Sequence, residues 1–160
     1  MTTSQFNQHN IYFNEPIQNT VIYNSKFIKL LYSNENIILN GIYLLLPITI
    51  RNKENYFKKI KITYNVNDNM EMFDKIYKIE HNLLKKYICS KKQRHMLYDT
   101  LNTGIIKLFS KCETNNTYNT NNTYNTNNTY NTNINNFVLK ISGIWEDENE
   151  YGITYKILLT

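Results

Sequence analysis

Lysine is the residue with the most chemistry to offer in this 160-residue chain, and its spacing is uneven. Twelve basic residues fall between Arg51 and Arg94 against five acidic ones, a net of +7 where the whole chain carries +5. Cationic groups at that density suit a polyanionic partner. Lys59 and Lys61 alternate with Ile60, Ile62 and Tyr64, so a strand here has one apolar and one basic face. Lys58 adjoins it, and Arg51 and Lys53 fall in the polar stretch before it. Lys75, Lys78 and Lys85 lie opposite an apolar helical stripe. Ammonium and guanidinium groups neutralise a nucleic-acid backbone, and aromatic rings stack on bases. Arg51, Lys53, Lys58, Lys59, Lys61, Lys75, Lys78 and Lys85 are therefore the expected backbone contacts, with Tyr32, Tyr43 and Tyr56 as expected stackers.

Other chemistry is thin. Cys89 with His95 is the one Cys–His pair the sequence leaves open, and Cys89 and Cys112 are too few for a disulfide framework or a four-thiolate metal site; His9 and His81 stand in no catalytic or ligand motif. No HExxH, CxxC, GxGxxG, GxxxxGK[ST] or GxSxG motif occurs. The acidic run from Glu146 to Glu150 lacks a fixed cation-ligand spacing and reads as a solvated turn. The expectation is no catalytic residue, no metal, no cofactor and no enzymatic activity.

The elements that must position the lysines follow from periodicity. Strands are expected over 21–32, 37–50 and 56–64, with a polar turn at 52–55. Asn40-Gly41 marks a turn or bulge, and Pro47 argues for a sheet edge. A helix is expected over 69–89, with Met72, Ile76, Ile79, Leu83 and Tyr87 on its apolar stripe and Asp68 and Glu71 at capping-box spacing. Short strands are expected at 96–98 and 105–109. A terminal hairpin pairs Phe137, Leu139, Ile141 and Trp145 with Ile153, Tyr155, Ile157 and Leu159.

Between them, Tyr-Asn-Thr-Asn-Asn-Thr repeats from Tyr118 with a period of six. The uncharged stretch 114–136 has too few aliphatic residues to offset its ordering entropy, and reads as a disordered loop. The length prior gives one domain over 11–160, interrupted by that loop and preceded by a flexible segment at 1–10. The 28 Asn and 21 Ile are what an AT-rich genome produces by codon pressure alone.

The order of strands, helix and closing hairpin predicts a mainly β, α+β chain: an OB-like antiparallel barrel with one amphipathic helix. Asn40-Gly-Ile-Tyr-Leu-Leu-Leu-Pro47, Leu139-Lys-Ile-Ser-Gly-Ile-Trp-Glu146 and Tyr151-Gly-Ile-Thr-Tyr-Lys156 resemble segments of small proteins of large DNA viruses. Among these are OB-fold, phage-type single-stranded DNA-binding replication proteins. The resemblance implies non-sequence-specific binding of single-stranded DNA in viral replication, recombination or repair, replication proteins as further partners, and a place in the host cytoplasm or nucleus. That class ends in an acidic tail that recruits polymerase. The acidic run here is internal, so recruitment would use another surface. The alternative is a viral structural or assembly protein, or a protein-interaction module that self-associates and binds no nucleic acid. No apolar run reaches the roughly 18–20 residues of a membrane span, and the first residues do not read as a signal peptide, so neither membrane association nor secretion is expected.

Overall fold

Alternating apolar side chains build the strands. In the computed structural model, which describes residues 1–56, 59–109 and 133–159, they run in the order β1 Ile11–Phe13, β2 Ile17–Gln18, β3 Lys26–Ser33, β4 Ile38–Leu39, β5 Ile42–Ile50, β6 Asn52–Tyr56 and β7 Lys59–Thr63. Helix α1 (Met70–Lys86), β8 (Lys92–Arg94), helix α2 (Met96–Leu101), β9 (Ile105–Phe109), β10 (Asn133–Glu146) and β11 (Glu150–Leu159) follow. Along β5, Ile42, Leu44, Leu46 and Ile48 are buried while Tyr43, Leu45, Pro47 and Thr49 face outward. Ile28 and Leu30 of β3 and Phe137, Leu139 and Ile141 of β10 complete that inner face. Phe73, Ile76, Leu83 and Leu84 of α1 join the same core.

β10 organises the large sheet. It pairs with β11 along one side; along the other it pairs first with β5 (133–141) and then with β3 (143–146). A register shift between Ile141 and Gly143 marks the change of partner, as a bulge does where a sheet bends. Only glycine fits there, because a Cβ on Gly143 would overlap the Ile28 carbonyl oxygen. The result is a mixed, curled, open half-barrel with one long helix, rather than a closed barrel. The chain leaves β5 through Arg51 and enters a separate sheet of order β6-β7-β9, so β6 and β7 do not close the large one. The parallel pairing of β8 with β11 also departs from the antiparallel expectation.

The expected edge at Pro47 is present. β5 pairs with β10 on one side, and local groups cover the other. The Leu45 N–H donates to the Met1 carbonyl, and the Met1 ammonium donates to the Tyr43 carbonyl. The Asn69 amide accepts from the Thr49 N–H at 2.8 Å and donates to the Thr49 carbonyl at 3.1 Å. Edges covered in this way resist pairing with other chains. The N-terminal segment is further held by Phe6 stacked on Tyr32 and by the Lys86 ammonium donating to the Gln8 and Ile11 carbonyls.

Several local expectations change. Residues 21–24 form a turn. Residues 52–56 are a strand, paired in full with β7. Residues 96–98 open a helix. Glu80, buried at 0% exposure, accepts from the backbone N–H groups of Leu97 and Tyr98 and so caps α2. Helix α1 ends at Lys86, because Tyr87 is extended and its hydroxyl donates to Glu146. The capping box does not form: Asp68 accepts from the Asn65 amide, and Asn69 takes the N-cap position. Of the 114–136 tract, β10 already includes residues 133–136, paired with β5; residues 114–132 lie outside the described residues. Among the described residues, no helix is long and apolar enough to cross a membrane.

Candidate nucleic-acid interface

The small sheet presents the lysines of β7 as the alternation requires. Ile62 is buried and Ile60 packs against the core, which turns Lys59 and Lys61 to the outer face. Register then adds neighbours. Lys61 lies between Glu54 of β6 and Lys107 of β9; Lys59 lies between Tyr56 and Phe109. Lys61 meets Glu54 at 3.8 Å across an exposed surface, a pair worth at most about 1 kcal/mol. Lys107 is exposed. Like charges directly opposite on neighbouring strands are unfavourable, so the Lys61–Lys107 row gains from an anion. Arg51 is exposed at the junction of β5 and β6, its backbone N–H donating to the Thr63 carbonyl. Lys53 is exposed on β6, in register with Ile62 and hence on the opposite side from Lys61.

The helix lysines form a separate set. Lys75, Lys78 and Lys85 are exposed on the side of α1 away from Phe73 and Ile76, and Lys75 pairs with Glu71 at 2.7 Å. Lys58 lies outside the described residues. Much of the remaining charge of the central window is compensated inside the molecule. Lys91 donates to Glu146 and to the Asp147 carbonyl, while Lys92 and Arg94 pair with Glu150. These contacts hold the Glu146 carboxyl below its usual range, chiefly through Lys91 and Tyr87. The acidic run is thus partly a partner for the basic turn, not solely a solvated loop. Asp147 also accepts from the Asn149 and Glu150 N–H groups, which shapes the turn.

Of the three expected stackers, Tyr32 is withdrawn. Its ring is 3% exposed in the core and its hydroxyl faces the Asn7 N–H and the Asn10 amide, so no base can reach it. Tyr43 is half-buried on the outer face of the large sheet, with the Lys140 ammonium 5.1 Å from its ring centroid. Tyr56 lies on β6 in register with Lys59. Lys107, Lys140 and Lys156 lie outside the expected set; they become neighbours of other site residues only through strand pairing.

A second titratable cluster lies between α1 and α2. Tyr77 packs against Tyr98 at 4.7 Å and His95 at 5.2 Å, and His81 stacks on His95 at 5.6 Å with 17° between planes. His81 Nδ1 and His95 Nε2 are buried without a protein hydrogen-bond partner. No group of three or more His, Cys, Asp or Glu among the described residues forms a metal site. The chain matches no family model, no curated protein and no solved structure.

Proposed function

We propose that the protein binds single-stranded DNA without sequence preference, across the outer face of the β6-β7-β9 sheet, in the service of DNA replication, recombination or repair. The supporting observation is the cross-strand row Lys61–Lys107, with Lys59 beside it and Glu54 as the one carboxylate in the three strands. A three-stranded sheet is about 10 Å between its outer strand axes before side chains are added. The duplex major groove, about 12 Å wide, admits a helix or a two-stranded ribbon, so this face suits a flexible single strand better.

The test is fluorescence anisotropy with labelled oligo-dT and a matched duplex over a salt series. Preferential binding to the single strand, falling steeply with salt, is expected. The K61E/K107E variant should weaken binding at least tenfold and lower the salt slope, by roughly 0.7 for each phosphate no longer neutralised. No binding to either ligand at low salt would end this reading.

A second reading, a protein-interaction module, is favoured by the turn between β2 and β3, where Val21 and Tyr23 are 89% and 90% exposed beside Ile17 and Ile22. It predicts concentration-dependent association that V21S/Y23S abolishes, measured by sedimentation.

A further inference from the structure

The outer face of the large sheet carries a second arrangement of the same chemistry, which the basic window from Arg51 to Arg94 does not contain. Register places Tyr43 of β5, Lys140 of β10 and Lys156 of β11 in one row across three adjacent strands. Ile42, Leu44, Leu139 and Ile141 on the opposite face are buried in the core, so the row faces outward. Lys156 is exposed and Lys140 half-buried. The two ammonium groups come from directly opposed positions, where like charges repel.

Within these strands nothing acidic offsets that repulsion. No carboxylate occurs in β3, in β5, in β10 before Glu146 or in β11 after Glu150. Lys140 leans over the Tyr43 ring, a cation–π contact that holds the ring beside the charge. The adjoining row, Leu45–Val138–Leu158, is partly exposed and apolar. Cation, ring and apolar surface in adjacent rows match a ligand that alternates phosphate with flat, weakly polar bases. Inorganic phosphate would use only the cations, and a protein partner has no need of a carboxylate-free strip. β5 also continues through Arg51 into β6, the edge strand of the small sheet. One stretch of backbone therefore joins this row to the face already described.

We infer that the Tyr43–Lys140–Lys156 row is a second subsite for single-stranded DNA, engaged by the same strand that crosses Lys61 and Lys107. The inference rests on the function proposed above. Short oligonucleotides fill one subsite, and longer ones bridge both and gain by linkage of the two contacts.

The experiment titrates the full chain with labelled oligo-dT of about 8 and about 30 nucleotides, lengths within and beyond the span of one OB-sized surface. Wild type, K140E/K156E, K140Q/K156Q, Y43L and K61E/K107E are compared over a salt series, with thermal melts to establish that each is folded. The expected result is that K140E/K156E weakens binding of the long oligonucleotide at least tenfold and lowers its salt slope by roughly 1.4, with K140Q/K156Q intermediate. Y43L weakens it several-fold at an unchanged slope, because stacking releases no counterions. Wild-type affinity for the long oligonucleotide in folded K140E/K156E, while K61E/K107E loses it, overturns the second subsite and leaves the first reading standing. A loss in K140E/K156E that is equal for heparin and oligo-dT, with Y43L unchanged, overturns it in favour of a general anion patch. Failure of the wild type to bind either oligonucleotide at low salt removes the underlying reading itself.

Discussion

Glu80 is the residue whose setting departs furthest from its type. A carboxyl group in the core, on a helix with lysines to choose from, instead accepts two N–H groups at the start of α2, at 3.1 and 3.0 Å. Burial outweighs those hydrogen bonds and pushes its pKa up to about 7. The folded value lies above the unfolded one, so the folded state holds the proton more tightly. Stability contributed by this group is present at acid pH and is lost as pH rises towards about 7, a difference on the order of 3 kcal/mol. His95, the residue before α2, works in the opposite sense. Burial, and then the charge of His81 stacked on it, hold its pKa below the usual value of 6.5, so stability is lost as pH falls below that value. The two slopes oppose each other wherever their ranges overlap below pH 6.5. Urea unfolding at a series of pH values should show E80Q with a much flatter decline between pH 5 and 7, and H95F with a weaker loss on the acid side. An unchanged alkaline-side decline in E80Q would show that Glu80 is not the titrating group.

At the scale of elements, a one-residue clasp decides how β5 ends. Asn69 satisfies both the N–H and the C=O of Thr49 and also donates to the Asn65 carbonyl at 2.9 Å. Asn69→Ala leaves those backbone groups without their partner on an edge strand, at a cost of about 1–3 kcal/mol. Urea unfolding should register that loss, together with a greater tendency to aggregate; a variant as stable as the wild type would show that water replaces the amide. This clasp also shows what pattern reading can reach. β3, β5, β7 and the β10–β11 hairpin are legible because their side chains alternate, and α1 because its stripe is long. β6 is not, since an edge strand of Asn, Lys and Glu carries no apolar period. α2 is not, since Leu97 and Leu101 mark a single helical spacing and its cap comes from Glu80 on another element. The site divides in the same way. Lys59 and Lys61 follow from local alternation, whereas Lys107, Lys140 and Lys156 depend on register between distant segments. Tyr32 is no stacker for a reason already present in the alternation: its parity with Ile28 and Leu30 on β3 puts it on the buried face.

For the molecule as a whole, charge counted along the chain and charge offered to a partner are different quantities. The window from Arg51 to Arg94 holds most of the basic residues, yet Lys91, Lys92 and Arg94 are paired with Glu146 and Glu150, and Lys86 with backbone carbonyls. Lys86 and Lys91 act in folding, whereas Lys92 and Arg94 remain exposed beside Glu150. Lys91 in particular shares the half-buried Glu146 carboxylate with the Tyr87 hydroxyl, just past the end of α1. Lys91→Gln strips that carboxylate of its charged partner and should lower stability while leaving oligo-dT affinity near wild type. K61Q/K107Q should behave in reverse. It removes two like charges from opposed positions, so stability holds or rises slightly, while affinity and salt slope fall. Melting curves and anisotropy titrations on the same two variants separate the roles. Were K91Q to lose affinity as strongly as K61Q/K107Q while staying fully folded, the binding charge would belong to the basic window as a whole, and the two sheet faces would lose their claim to it.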